Sequence, residues 1–328
     1  MNHAEKLINK ILIIGFKEHA TDIHFYREEE KVKVYFRING IRKLKKEIKY
    51  KQYAVILLHL KFSASMDIGE SFRPQDGALD YVYNNNSYSL RLSTLPVGQS
   101  ESLTIRILPQ TKRYSLNQLC LFPFQNKELL NLLNLTSGLV IFSGSTGSGK
   151  TTLMYSLIEE LLKIRSAQII TLEDPVERPL KDVIQIQINK TAKINYESGL
   201  KAILRHDPDV ILLGEIRDSL TAKYAFRAAL TGHLVLTTIH ANNAKGTLDR
   251  LKEIGISELE IKQTVKSVVS LELILLKTFL KKTRRAAIAE IITPQLSSQE
   301  LSSSNFLTFK ELRKRAYLYG FVSEKEII

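Results

Sequence analysis

One segment combines glycines, a lysine and a threonine at a spacing suited to holding phosphate groups. Residues 144–151 read Gly-Ser-Thr-Gly-Ser-Gly-Lys-Thr and match G-x-x-x-x-G-K-[ST] at every fixed position. Glycines let the backbone curl so that successive N–H groups face phosphate oxygens, and a helix beginning there adds partial positive charge. An apolar run, residues 139–142, precedes the motif and a helical pattern follows it. We therefore predict a nucleotide site in which Lys150 reaches the β- and γ-phosphates and Thr151 holds Mg²⁺.

An acidic residue follows a second apolar run. In residues 209–215, Val-Ile-Leu-Leu separates Asp209 from Gly214 and Glu215. Ligands bind at the carboxyl ends of the strands in open α/β sheets. We therefore expect Glu215 beside the phosphate site as the carboxylate on the Mg²⁺ side, partly through water. Asp209 is expected at the opposite edge and not as a metal ligand.

A third apolar run, residues 169–172, ends in three acids within five residues. These are Glu173, Asp174 and Glu177, with Pro175 restricting the turn between them. Carboxylates this close repel one another unless a cation or an arginine lies among them. We interpret Glu173 as a candidate general base for an attacking water and Glu177 as a supporting residue. Glu215 could be the base instead. The alternative for Glu173 and Glu177 is a charged turn facing solvent, and the alternative for Glu215 is a solvated acid that ends a strand.

Two histidines flank a further strand pattern. Residues 231–240 carry His233 and His240 seven positions apart, without an H-x-x-x-H pair or a cysteine cluster that would complete a zinc site. A strand ending in Thr237, Thr238 and His240 beside a phosphate loop can sense the γ-phosphate. A structural role for each histidine is the alternative.

Two arginines lie in alternating strand patterns nearer the start of the chain. Arg91 and Arg106 each point away from their apolar strand neighbours, so paired strands would project both guanidinium groups from one sheet face. A solvated strand face explains this pattern. The second interpretation is an arginine finger offered to a phosphate, worth ~10³–10⁵ in rate where it is known.

The elements that must position these residues divide the chain into two kinds of pattern. Residues 1–108 alternate in period two at 31–38, turn at Asn39-Gly40, run helically at 53–62, and form strand pairs at 79–83, 88–92 and 103–108, which predicts a small α+β domain. The strand pairs turn through 84–86 and through a loop with Pro96 and Gly98. Residues 109–115 form the predicted linker. Residues 116–328 alternate continuous apolar runs with helical stretches, which predicts a parallel sheet covered by helices, with a helical C-terminal extension.

Composition bounds the possibilities. The 328 residues have a formal net charge of +13, 44% hydrophobic residues and a single cysteine, Cys120. Full apolar cores exclude a mainly disordered chain, and one cysteine excludes a disulfide framework or a zinc site of several thiolates. The sequence contains no run of eighteen apolar residues, so it predicts no membrane-spanning helix. The positive charge indicates an anionic partner without saying which.

The motifs together resemble the secretion and type IV pilus traffic ATPases over residues 17–294. The family's small-domain, Asp-box, Walker B and His-box elements have counterparts in residues 21–24, 37–40, 73–77, 91–96, 173–177, 204–218 and 231–240. The short, zinc-free chain is similar to ComGA-type competence ATPases of Gram-positive bacteria. The resemblance implies a RecA-like P-loop ATPase domain after a PAS-like small domain. It also implies catalytic roles for Glu173, Glu215, His240 and, acting on a neighbouring subunit, Arg91 and Arg106.

The same resemblance supplies the remaining site residues and partners. The nucleotide is expected to contact Gly144, Ser145, Thr146, Gly147, Ser148, Gly149, Lys150, Thr151 and Thr152. Supporting residues are expected to be Asp174, Glu177, Arg217 and His233. The implied protein is a homohexameric ATP- and Mg²⁺-dependent motor of a competence pseudopilus. It would act at the inner face of the cytoplasmic membrane on a polytopic platform protein, without direct DNA binding. A pilus retraction ATPase, or a RecA-like motor using basic residues 42–51 and 277–285 on DNA, is the alternative.

Overall fold

The structure is a computed structural model that describes residues 3–38, 40–98, 100–109, 115–189, 192–277, 284–294 and 306–327. The chain divides into two compact units, Met1–Lys112 and Arg113–Ile328. Most of the predicted linker, residues 110–114, and all of the Ser/Gln-rich segment at residues 295–304 lie outside the described residues.

Unit 1, Met1–Lys112, is an antiparallel sheet with two helices. Its six strands lie in the order β3-β2-β1-β6-β5-β4, and every neighbouring pair is antiparallel. The elements in chain order are α1 (His3–Lys17), β1 (Asp22–Glu28), β2 (Lys31–Ile38), β3 (Ile41–Lys49), α2 (Tyr50–Ser63), β4 (Gln75–Tyr83), β5 (Asn86–Val97) and β6 (Ser100–Pro109).

The core of unit 1 follows from the period-two alternation. Val32, Val34 and Phe36 on β2 are at most 1% exposed and pack with the apolar faces of α1 and α2 in one cluster. The strand β2 has the predicted bounds, whereas β4, β5 and β6 are longer than predicted, and Pro96 lies inside β5 rather than in a loop. Asn39 of the predicted turn lies outside the described residues. We did not predict β1 and β3, whose many charged residues weaken the apolar signal.

Unit 2, Arg113–Ile328, is a mixed, mostly parallel sheet with helices. The strand order is β13-β12-β7-β11-β10-β8-β9, in which β12 and β13 are antiparallel and the other neighbours are parallel. The strands are β7 (Gly138–Ser143), β8 (Ile169–Glu173), β9 (Ile184–Gln187), β10 (Val210–Leu213), β11 (Leu234–Ile239), β12 (Val265–Leu276) and β13 (Arg284–Ile292). The helices are α3 (Pro123–Asn131), α4 (Lys150–Ile164), α5 (Tyr196–Ile203), α6 (Ser219–Leu230), α7 (Ala244–Glu253), α8 (Glu258–Thr264) and the C-terminal helix (Phe309–Leu318). Short 3₁₀ turns lie at Leu116–Gln118, Leu132–Asn134 and Glu324–Glu326.

The central strands of this sheet are buried on both faces. Every residue of β7, β8, β10 and β11 is buried, and the two faces contribute to two separate apolar clusters. This confirms the predicted fold class, an α+β unit followed by a mainly parallel α/β unit. The antiparallel pair β12–β13 was not predicted. Among the described residues, no helix combines the length and the apolar character needed to cross a membrane.

Candidate functional site

The phosphate-binding motif forms the loop between β7 and α4, as its sequence context requires. Gly144 has φ +134°, and a Cβ there would lie 2.3 Å from the Leu271 carbonyl oxygen of β12, so only glycine fits this start of the loop. The Lys150 ammonium donates hydrogen bonds to the carbonyl oxygens of Gly144 (2.8 Å) and Ser145 (2.9 Å). Burial lowers the pKa of Lys150, and the negative charges of Glu215 and Glu177 oppose that shift. The two hydrogen bonds hold the lysine over the mouth of the loop.

The two acid-bearing strands meet the loop because of the sheet order. β8 and β10 are parallel neighbours, so Glu173 at the end of β8 and Glu215 after β10 lie at one edge. Both residues line one pocket with the phosphate loop. The pocket also includes the following predicted site residues: Thr146, Gly147, Lys150, Thr151, Asp174, Glu177, Arg217 and His240.

Glu215 is the centre of an ion-pair chain at the pocket. Its carboxylate lies 3.1 Å from His240 Nε2 through Oε1 and 3.0 Å from Arg217 Nε through Oε2. Arg217 reaches on to Asp174 Oδ2 at 3.4 Å, and its hydrogen bond to Glu215 raises the pKa of the guanidinium. The arginine thus supplies the cation that close carboxylates need, while His240 contacts the carboxylate predicted to lie on the Mg²⁺ side.

Glu173 is held in a different way, by neutral donors. Its side chain is 4% exposed. The Oε1 atom accepts hydrogen bonds from Thr171 Oγ1 (2.6 Å) and Gln185 Nε2 (3.3 Å), and Oε2 accepts one from the Tyr155 hydroxyl. A buried carboxylate needs such donors because they replace its lost hydration.

The residues at the mouth of the loop suit a magnesium nucleotide. Thr151 Oγ1 lies 3.4 Å from Glu177 Oε1, and Glu215 lines the same pocket, so the available donors are the oxygens that Mg²⁺ prefers. Among the described residues, Ser148 Oγ is buried without a hydrogen-bond partner, and a Cβ at Gly147 would meet open space. The residues present therefore fit ATP with Mg²⁺.

Outside the phosphate loop, two predicted site residues of unit 2, His233 and Thr152, do not line the pocket. His233 lies before β11, at the end opposite His240, and its Nδ1 is 3.0 Å from Thr231 Oγ1 and 3.1 Å from the Ala228 carbonyl oxygen. Thr152 is exposed on α4. Asp209, expected away from the site, accepts a hydrogen bond from the Gln168 backbone N–H (2.7 Å) before β10 begins. Gly144, Ser145, Ser148 and Gly149 belong to the loop itself but not to the pocket lining.

Sequence reasoning missed two tyrosines. Tyr196, on the first turn of α5, lines the pocket, and burial together with the charge of Asp174 raises its pKa to about 12. A Cβ at Gly214 would lie 3.3 Å from the Tyr196 hydroxyl oxygen, so the glycine between β10 and its acid makes room for this tyrosine. Tyr155 lies one helical turn after Thr151, and that spacing was the available signal.

The two predicted arginines of unit 1 are directly opposite each other. Arg91 on β5 pairs with Arg106 on β6, Arg106 with Asp22 on β1, Asp22 with Arg37 on β2, and Arg37 with Arg42 on β3. Directly opposite residues share a sheet face. These five side chains, which we call the arginine row, therefore cross five strands on one face.

Asp22 ties the middle of the arginine row together. Its buried carboxylate accepts a hydrogen bond from Arg106 Nε (2.9 Å) and lies 3.7 Å from Arg37 Nε. Burial alone would raise the pKa of Asp22, but hydrogen bonds from Arg106 and Thr21 outweigh it and hold the pKa below its ordinary value. The side chain of Arg106 nevertheless remains 65% exposed.

A parallel sheet whose strand, phosphate loop and helix form a pocket with carboxylates defines the class of P-loop α/β proteins. The family described as type II/IV secretion system protein matches residues 1–318. This chain belongs to that family, which confirms the resemblance found in the sequence.

Named relatives agree with the family. The chain is 39% identical to the competence protein ComGA of Halalkalibacterium halodurans over 333 residues, covering 97% of this chain and 96% of the relative. It is 44% identical to the competence protein ComGA of Bacillus subtilis over 274 residues, covering 84% and 77%.

Solved structures share the fold. The Legionella pneumophila ATPase DotB superposes with a TM-score of 0.79 at 20% identity, covering 98% of this chain and 94% of DotB. The pilus retraction motor PilT with bound ADP gives 0.79 at 24% identity, covering 100% and 96%. At such identities the likeness concerns the architecture of both units.

Proposed function

We propose that this protein is a homohexameric motor that hydrolyses ATP to drive assembly of a competence pseudopilus for DNA uptake. The observation that carries the proposal is the single pocket in which Lys150 and Thr151 of the phosphate loop meet Glu173 and Glu215. Two relatives at 39% and 44% identity are named competence proteins, which supports the biological role.

Each pocket residue has a task in this proposal. Lys150 would leave the loop carbonyls for the β- and γ-phosphates, and the loop N–H groups would hold the remaining oxygens. Thr151 and Glu215 would hold Mg²⁺, directly or through water, and the ion would neutralise charge on the phosphate oxygens. Glu173 would accept the proton of the attacking water, and His240 would report the state of the γ-phosphate through Glu215.

The arginine row would complete the site from a neighbouring subunit. Arg91 and Arg106 carry positive charge on one face of unit 1, the chemistry needed to stabilise a phosphoryl transition state. The hexamer would act at the inner face of the cytoplasmic membrane on a polytopic platform protein. Peripheral attachment would come through that partner.

The first experiment measures phosphate release from MgATP by the purified protein, with and without double- and single-stranded DNA. The proposal predicts hydrolysis that DNA does not stimulate. DNA-stimulated, salt-sensitive activity would instead favour a motor acting on DNA through basic strand β3.

The second experiment asks about the direction of force. The gene is deleted in its own host and replaced by the wild type or by Lys150→Ala. An assembly motor predicts loss of both pseudopilus filaments and DNA uptake in the Lys150→Ala strain. Filaments that persist or accumulate there would contradict assembly and favour retraction.

A further inference from the structure

The helix that follows the phosphate loop is joined to the acidic segment along one stripe of side chains. Residues 151, 155 and 159 are four apart on α4 and therefore share a face. Each contacts residues 173–178: Thr151 with Glu177, Tyr155 with Glu173, and Glu159 with Arg178 at 2.9 Å. A shift of α4 relative to residues 173–178, the end of β8 and the segment after it, would therefore strain all three contacts together.

Tyr155 is the middle and most buried member of this stripe. Its side chain is 1% exposed, and the Arg178 guanidinium lies 5.0 Å from the ring centre. The hydroxyl oxygen accepts a hydrogen bond from the Glu177 backbone N–H (3.3 Å), while its hydrogen points to Glu173 Oε2. The burial of Tyr155 and the charge of Glu173 both raise its pKa, so the hydroxyl keeps its proton at neutral pH.

The hydrogen-bond donors around Glu173 determine which of its carboxylate lone pairs can accept a hydrogen bond from a water. An ionised carboxylate has about four acceptor sites, two on each oxygen. Thr171 and Gln185 occupy Oε1, and Tyr155 takes one site on Oε2. One site on Oε2 is left among the described residues, and Glu173 lines the nucleotide pocket. Tyr155 thus controls the oxygen that remains available.

We propose that Tyr155 is a positioning residue that fixes Glu173 Oε2 toward the attacking water and links it to the helix of the phosphate loop. The inference rests on the proposed role of Glu173 as general base. It adds a residue outside the phosphate and acidic motifs whose effect on hydrolysis passes through Glu173.

Tyr155→Phe removes the hydroxyl alone and keeps the buried ring. We expect kcat for ATP hydrolysis to fall about 10- to 100-fold, because a misdirected base loses proton-transfer geometry. The KM for ATP and the affinity for a fluorescent ATP analogue should change less than about threefold, because Lys150 and Thr151 keep their contacts. A kcat within twofold of the wild type would overturn the inference.

Tyr53→Phe is the matched control. Tyr53 is also 1% exposed, and its hydroxyl donates a hydrogen bond to the Glu101 carbonyl oxygen. Both residues belong to unit 1, whereas the pocket residues belong to unit 2. Both variants should lower the thermal midpoint by a few degrees, since Tyr53→Phe loses one hydrogen bond and Tyr155→Phe loses two. Only Tyr155→Phe should lower kcat. An equal loss of kcat in both variants would show that general destabilisation causes the loss, and would overturn the inference.

A double-mutant cycle separates positioning from structure. Glu173→Gln alone should lower the rate 10²- to 10⁴-fold, as expected for loss of a general base. With Glu173 already neutral, adding Tyr155→Phe should change the single-turnover rate less than twofold, because both act through one group. A further loss as large as that of Tyr155→Phe alone would show an independent effect and overturn the inference.

The same cycle distinguishes the inference from the proposed function beneath it. If Glu173→Gln keeps the wild-type rate, the general-base assignment fails and the inference falls with it. If Glu173→Gln is slow and Tyr155→Phe is fast, the base assignment stands and only the positioning role of Tyr155 is wrong.

Discussion

The pocket of unit 2 and the arginine row of unit 1 hold their charges by different means. In the pocket, side chains come from the carboxyl ends of parallel strands, from the loops after them and from the start of α4. Glu173 is 4% exposed, and buried neighbours supply its hydrogen bonds. In the arginine row, side chains come from mid-strand positions of an antiparallel sheet, and Arg106 is 65% exposed although it pairs with buried Asp22.

The difference separates a concave site from a charged surface. The pocket has carboxylates, a lysine and a hydroxyl converging on one space, as a reaction centre requires. The arginine row has four cations around one carboxylate and an excess of positive charge on its face. A surface of this kind offers charge to an anion supplied from elsewhere, which is the task of an arginine finger.

The largest expected effect belongs to the pocket. Lys150→Ala should lower kcat for ATP hydrolysis more than about 10³-fold, because no other cation of the loop can reach the β- and γ-phosphates. The circular dichroism spectrum should stay unchanged because the lysine lies at the mouth of a loop. Lys163→Ala, which removes a 67% exposed lysine from the last turn of the same helix, should keep full activity. Equal activity of the wild type, Lys150→Ala and Lys163→Ala would contradict the assignment of the phosphate site.

The next effect tests whether the arginine row takes part in catalysis. Arg91→Ala and Arg106→Ala should each lower kcat about 10²- to 10³-fold with little change in nucleotide affinity. Arg27→Ala is the control, because Arg27 lies on β1 at a position that alternation assigns to the other sheet face, over the Tyr50 ring. If all three arginine variants hydrolyse ATP as fast as the wild type, the arginine row is a solvated strand face.

The smallest effect tests how Asp22 holds the row. The lowered pKa of Asp22 means that its ion pairs stabilise unit 1 above the ordinary value of 3.8 and lose that effect as pH falls through the lowered pKa. Asp22→Asn should therefore reduce the free energy of unfolding by about 1 kcal/mol at pH 7, and the difference should shrink below pH ~4. Urea unfolding at several pH values measures it, with exposed Asp80→Asn as control. A difference that does not depend on pH would contradict the ionic origin.

Much of unit 2 could be predicted because its signals are local. A glycine loop between an apolar run and a helix pattern, and acids at the ends of apolar runs, each predict position from a few neighbouring residues. Their convergence then follows from a parallel sheet, since carboxyl ends share an edge. No strand was predicted at β12 or β13, whose apolar residues could equally belong to a helix.

The contacts that tune the site could not be predicted. That Tyr155 donates to Glu173 depends on the packing of α4 against β8, and that Asp22 joins Arg37 to Arg106 depends on strand register between β2, β1 and β6. Register depends on how the apolar faces and turns of neighbouring strands fit together, and the pattern of one strand alone does not give it. His233 and His240 both flank the strand pattern of β11 in the sequence. They lie at opposite ends of that strand, and of the two only His240 lines the pocket.

The most direct measurement mixes two inactive proteins. Subunits with Arg91→Ala and Arg106→Ala keep an intact pocket, and subunits with Glu215→Ala keep an intact arginine row. If a neighbour's arginines complete each pocket, random assortment at a 1:1 ratio restores about a quarter of the sites, and phosphate release rises above that of either protein alone. No recovery at any mixing ratio would contradict a site shared between two copies of the chain.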